Sequence, residues 1–147
     1  MTQITDRKTW LGVLARAPQG RIAALLTDVG AIPQATDLRR SETGSVMVQG
    51  RAGGTGNAFN LGEMTVTRCS VQLPCGTVGH GYVQGRSKSD ARAAAMVDAL
   101  LQTDLADRVR AAVTAPLAAE AAARQQTRAA KAAATRVEFF TLVRGED

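Results

Sequence analysis

The side chains with the means to do chemistry gather in the middle of this chain. Arg51, Arg68 and Arg86, with Glu63, are the only charged residues between positions 46 and 86. The planar fork of arginine suits carboxylate and phosphate oxygens. Arg51 opens the run RAGGTGN, where Gly53, Gly54 and Gly56 free the backbone to turn its N–H groups toward an anion. The run lacks the Lys-Ser/Thr ending of a nucleotide-binding P-loop, and the residues after it read as strand, so no helix N-terminus faces it. Arg51, Gly53, Gly54, Gly56, Arg68 and Arg86 are the candidate substrate or anion contacts. A purely structural loop, and an ion pair to Glu63, are the rival readings.

His80 is the sole histidine, set between Gly79 and Gly81 in GHGYV, and Cys69 and Cys75 are the two cysteines. Their spacing matches no familiar metal-ligand pattern, and one histidine does not make a tetrahedral site. Cys-His nucleophilic chemistry needs mutual contact and an orienting group, neither of which the letters supply. A hydrogen-bonded sheet histidine is the expected role of His80. No catalytic residue and no metal ligand is assigned to the chain.

These residues need a scaffold, and three strand-like runs provide it: 45–51, 63–73 and 78–84, rich in Val and Thr and bounded by Gly, Asn or Pro. Pro74, Cys75, Gly76 and Thr77 join the last two as an antiparallel hairpin, across which Cys69 and Cys75 can face one another. Segment 31–44 reads as a connection or edge strand; its adjacent Arg39 and Arg40 point to opposite faces if extended. Most of the 14 glycines fall in the charge-poor centre, 46–86, which suggests burial on more than one side.

Helices flank the strands. Residues 5–17 form the first, capped by Thr5 or Asp6, with Trp10, Leu11 and Leu14 on one stripe. Residues 21–29 form the second, stopped by Gly30. Ser87 and Asp90 make the S-x-x-D signal of a capping box, and Met96, Val97, Leu100 and Leu101 form the buried stripe of the helix that follows. Thr103 and Asp104 mark a break, and Pro116 ends that region. The stretch 117–136 holds no large aliphatic or aromatic residue after Leu117, so it is helical by propensity with little to bury. The apolar run VEFFTLV at 137–143 follows. Phe139, Phe140 and Leu142 there, with Phe59 and Asn60 beside the Gly loop, are candidate partner contacts. The alternative is an arm folded back on its own domain. The fold class is α+β: a small antiparallel sheet with flanking helices and an Ala-rich C-terminal helical arm, one domain with a body over 1–115 and an arm over 116–147.

Composition bounds the function classes. The net charge of +5 is spread evenly, with no basic block that tracks a phosphate backbone. A helix-turn-helix reading of residues 5–29 fails because the second helix carries only Arg21 for base contacts. No apolar signal core or membrane-length run is present, which points to a cytoplasmic protein with reduced thiols. Aromatic residues make up only 3% of the chain, so its core buries little area per residue and partner surfaces are expected to complete it.

The words GRAGGTGNAFNLGEMTVTRCSVQL, GTVGHGYVQGR and DARAAAMVDALLQ, with the ending VEFFTLVRG, resemble PhnG, the small G subunit of the bacterial carbon–phosphorus lyase core complex. The likeness spans residues 10–102 and the C-terminus. Ser41 and Thr43 in LRRSETG, and Gln49 where a basic residue is common, depart from the family's pattern. The resemblance implies a non-autonomous subunit acting in organophosphonate catabolism with sister subunits of the I, H, J and L types, most directly the I subunit. It implies ATP as co-substrate of the complex, with no cofactor held by this chain. Two rivals from other classes stay open on the residues alone: a stand-alone phosphate- or nucleotide-binding module using the Gly loop, and a weakly basic nucleic-acid-binding protein.

Overall fold

The computed structural model describes residues 6–136. Asp6 caps the first helix, α1 (Arg7–Ala15), by accepting from the Thr9 amide at 3.0 Å. A short α2 (Arg21–Thr27) follows a left-handed Gly20. Three strands, β1 (Thr36–Arg51), β2 (Ala58–Gln72) and β3 (Val78–Gln84), make one antiparallel sheet in that order. Then come α3 (Lys88–Leu100), a single turn α4 (Ala106–Val109), a π-helical turn (Arg110–Thr114) and α5 (Ala115–Ala134). The α+β class with flanking helices is as expected, but β1 begins at Thr36. Segment 31–44, read as a connection or an edge strand, is strand from Thr36 onward and forms a sheet edge, as the second of those readings has it.

The expected buried stripe of α3 is present, yet burial continues around nearly the whole helix. Ala91, Ala95, Val97, Asp98, Ala99 and Leu100 are all fully shielded. One side of α3 lies on β2 and β3, and α1 and α2 pack against it as well. The glycine-alternating sequence of β3 explains how close the sheet side comes. A Cβ on Gly79 would sit 2.0 Å from the Ala95 carbonyl oxygen, and one on Gly81 would sit 1.9 Å from that of Ala91. Helix backbone thus rests directly on strand backbone, with alanines at i, i+4 and i+8 of α3 facing the gap.

Ser87 caps α3 through the Asp90 amide at 3.2 Å, but the other half of the expected capping box is diverted. Both carboxylate oxygens of Asp90 accept from the Gly20 amide at 3.0 Å, so the start of α3 is tied to the start of α2. Asp98, on the same helix and fully buried, does more. It accepts from Arg7 Nε and Nη2 at 3.1 and 2.7 Å, from Trp10 Nε1 at 2.8 Å and from the His80 amide at 2.8 Å. Four donors from α1 and β3 satisfy a carboxylate that burial would otherwise penalise heavily.

Pro116 does not end the helical region. The chain runs through it, because the π turn just upstream changes the hydrogen-bond pattern and places proline at the start of α5, where no N–H is required. Leu117 is the last buried residue; positions 121–136 are all exposed. Glu120 receives Arg21 at 2.7 Å, and that contact holds its carboxyl below the ordinary 4.5.

Gly81→Ala is expected to cost about 3 kcal/mol or more, because the obstruction is backbone and cannot rotate away. Gly44→Ala, where a Cβ meets open space, should stay within about 0.5 kcal/mol. Urea unfolding of the two variants checks this. For Glu120 the sign follows from the lowered value: its contribution is present above the unfolded 4.5 and is lost as pH falls below that. The difference in Tm between the chain and Arg21→Gln should accordingly shrink on acidification through this range.

Candidate functional site

The sheet has two unlike faces. Thr67, Cys69, Val71, Gly79, Gly81 and Val83 point inward and are buried against α3. On the opposite face Arg68, His80, Tyr82 and Gln84 are exposed, although Val66 is buried. Beyond the helical layer, β1 and β2 continue as a two-stranded ribbon to a tip at residues 52–57. Such a ribbon has only its own pairing to stabilise it and is marginal alone in water.

At the tip, the loop runs as a 3-10 turn (Ala52–Gly54) with Gly53 and Gly54 left-handed. The amides of Thr55 and Gly56 both turn inward to the Ala52 carbonyl, and a Cβ on Gly56 would lie 2.6 Å from that oxygen. Arg51 donates to the Gly56 carbonyl at 3.2 Å. Glycine at 53, 54 and 56 is thus used by the turn itself. Arg68 lies ten positions along β2 from Ala58, the partner of Arg51, so up to about 33 Å of strand backbone lies between them. Arg68 pairs with Glu42, at 2.6 Å, and not with Glu63. Arg86 is exposed just before the Ser87 cap. The three arginines therefore belong to three places.

The ribbon carries four of the six exposed large apolar side chains among the described residues, Leu38 and Tyr82 being the others. Phe59, a candidate partner contact, is 46% exposed, with its ring lying over Gly50. Asn60 Oδ1 accepts from Gln49 Nε2 at 3.5 Å across the strands. Sequence reasoning missed Met47, Leu61 and Met64, which share the ribbon and its exposure. Leu61 is out because of a bulge: Val48 pairs with Gly62 and Gln49 with Asn60, leaving Leu61 unpaired and 67% exposed. Phe139, Phe140 and Leu142 lie outside the described residues.

The imidazole of His80 is exposed on the outer face and shares a hydrogen bond with Ser70 through Nδ1 at 2.9 Å. The thiols do not face each other. Cys69 is buried against Gly81, whereas Cys75 is exposed in the β2–β3 turn, where the Thr77 hydroxyl holds it below the usual thiol range. Among the described residues no three His, Cys, Asp or Glu side chains group as a metal site, and no helix is long and apolar enough to cross a membrane.

A small α+β protein whose Gly-loop arginine stands apart from Arg68 and Arg86 while one long ribbon exposes apolar side chains has the build of an assembly subunit. Comparison with known proteins gives the particular kind. The family described as "Phosphonate metabolism protein PhnG" matches residues 5–145, and the chain belongs to that family. A relative from Rhizobium meliloti (strain 1021), alpha-D-ribose 1-methylphosphonate 5-triphosphate synthase subunit PhnG, is 42% identical over 144 residues, covering 98% of this chain and 92% of the relative.

The two cysteines differ enough in access to be told apart. One equivalent of thiol, Cys75, should react with iodoacetamide in the native chain and two after denaturation; peptide mapping identifies the site. Labelling of Cys69 in the native state would contradict its placement.

Proposed function

We propose that the chain is a subunit of an alpha-D-ribose 1-methylphosphonate 5-triphosphate synthase in organophosphonate breakdown, and that it supports a reaction completed by its sister subunits. In that reaction a phosphonate oxygen bonds to the ribose anomeric carbon of ATP, the bond to adenine breaks, and adenine leaves carrying the phosphonate's proton. The partners are the carbon–phosphorus lyase subunits of the I, H, J and L types, with the I subunit as the direct one. ATP is a co-substrate of the complex, this chain holds no cofactor, and the setting is cytoplasmic. Family membership and the 42% identical synthase subunit support this reading.

The observation that carries the supporting role is the ribbon. Met47, Phe59, Leu61 and Met64 are between 36% and 67% exposed, which is unfavourable for a free surface and suited to burial by another chain. Covering what remains exposed of each such side chain contributes about half of the ~1.5–3 kcal/mol of a full burial. Arg51 at the tip of the same ribbon brings positive charge to any site that the ribbon reaches, where the triphosphate and phosphonate are both anionic.

The double variant Phe59→Asp/Leu61→Asp should leave the circular dichroism of the chain unchanged. It should abolish copurification with the I-type subunit and lower adenine release by the coexpressed complex at least tenfold. Undiminished copurification sinks the ribbon as the docking element, and adenine release by the isolated chain sinks the supporting role.

A further inference from the structure

The exposed face of the sheet carries a row of donors that the ribbon does not account for. Register sets it out: Arg39, Ser70 and His80 stand opposite one another across the three strands, and Glu42, Arg68 and Tyr82 form the next row. Residues 39 and 42 are an odd number apart, so in a regular strand they would point to opposite faces. A bulge in β1, three steps from Arg39 to Glu42 against two from Ser70 to Arg68, brings both to the same side. That bulge is fixed from behind. The buried Cys69 thiol donates to the Arg39 carbonyl at 3.4 Å, and the Ser41 hydroxyl donates to the Lys88 carbonyl at 3.0 Å.

The charges on this face do not balance. One oxygen of Glu42 takes both Arg68 Nε at 2.6 Å and Arg39 Nη1 at 3.5 Å, with all three side chains about half exposed. The two guanidinium groups share a single carboxylate, and Arg68 commits only its Nε, so its terminal nitrogens have no acceptor among the described residues. Ser70 engages His80 Nδ1, which leaves Nε2 as the nitrogen that can meet a ligand. The floor beneath is rigid, because the His80 amide is held by the buried Asp98.

We propose that Arg39, Arg68, His80 and Tyr82 form a binding site for a phosphoryl or phosphonate group on the outer face of the sheet. A tetrahedral PO3 group offers three oxygens to a spread of donors, and Arg68 can give its two terminal nitrogens as a fork while keeping Glu42 on Nε. Glu42 sets the affinity: it orients both arginines and competes with the anion for them. The choice of ligand rests on the synthase reading; the site itself rests on the register and the shared carboxylate.

His80 is the only histidine of the chain, so its ring gives a unique NMR signal in the full chain, either alone or reconstituted as the one isotope-labelled subunit among unlabelled sister subunits. At fixed ionic strength, inorganic tripolyphosphate and methylphosphonate are titrated separately. The expected result is a saturable shift of the His80 ring signal with at least one probe, and the responding probe tells whether the site takes the triphosphate or the phosphonate end. Arg68→Gln should weaken binding at least tenfold, Arg128→Gln on α5 should leave it unchanged, and Glu42→Gln should tighten it several-fold. The last effect separates a competing carboxylate from a merely structural one, since a damaged fold does not bind more tightly. A shift that never saturates, one indifferent to Arg68→Gln, or weakening by Glu42→Gln overturns the site. An unresponsive His80 in a complex that still releases adenine removes the site and leaves the synthase reading intact.

Discussion

The body of this protein depends on one buried carboxylate. Asp98 sits in the middle of a helix that is shielded on nearly all sides, and its two oxygens gather donors from α1 and from the backbone of β3. An ionised carboxyl so placed is tolerated only when its lone pairs are filled. The requirement works in both directions: α1 cannot dock in another register without losing Trp10 and Arg7 as donors, and β3 cannot slide without withdrawing the His80 amide. Arg7, 42% exposed, supplies charge from the water side, so its part is screened, while the indole and amide bonds lie inside.

Backbone contact supplies what aromatic side chains do not. Glycines in β3 and alanines in α3 let helix and strand approach until their main chains touch, which gains dispersion contacts. Such an interface is thin. It buries one face of a three-stranded sheet and leaves most of the other in solvent, together with a ribbon that outruns the helices altogether. The same economy of volume therefore produces a stable body and two surfaces without a cover, one apolar and one carrying arginine, histidine and tyrosine.

How far the letters foretold this differs from residue to residue. The β2–β3 hairpin, the Ser87 cap and the stripe from Met96 to Leu101 were legible because turn chemistry, capping and periodicity are local signals. The early start of β1 was legible only as one of two options. TDLRRSETG is too charged for its letters to decide between connection and edge strand, and it is strand because β2 offers it a partner and two bulges absorb its irregular alternation. Pro116 misled because its usual effect on a helix is cancelled by a π turn that no residue pattern announces. Asp98 was invisible as a hub, since its donors lie 18 to 91 positions away. The outer-face row escaped notice for the same reason: only the bulge in β1 brings Arg39 level with Ser70 and His80.

Leu117 is placed to act as a fulcrum. It is the final buried side chain of α5, with Glu120 one turn on still paired to Arg21, and the helix runs from it to Ala134, a length of about 26 Å. A tilt of about 10° at that pivot sweeps the far end through about 4 to 5 Å, as trigonometry on that length requires. Motion too small to disturb the packing around Leu117 is thereby magnified at the outer end, so the rod can follow a moving neighbour while the body stays still.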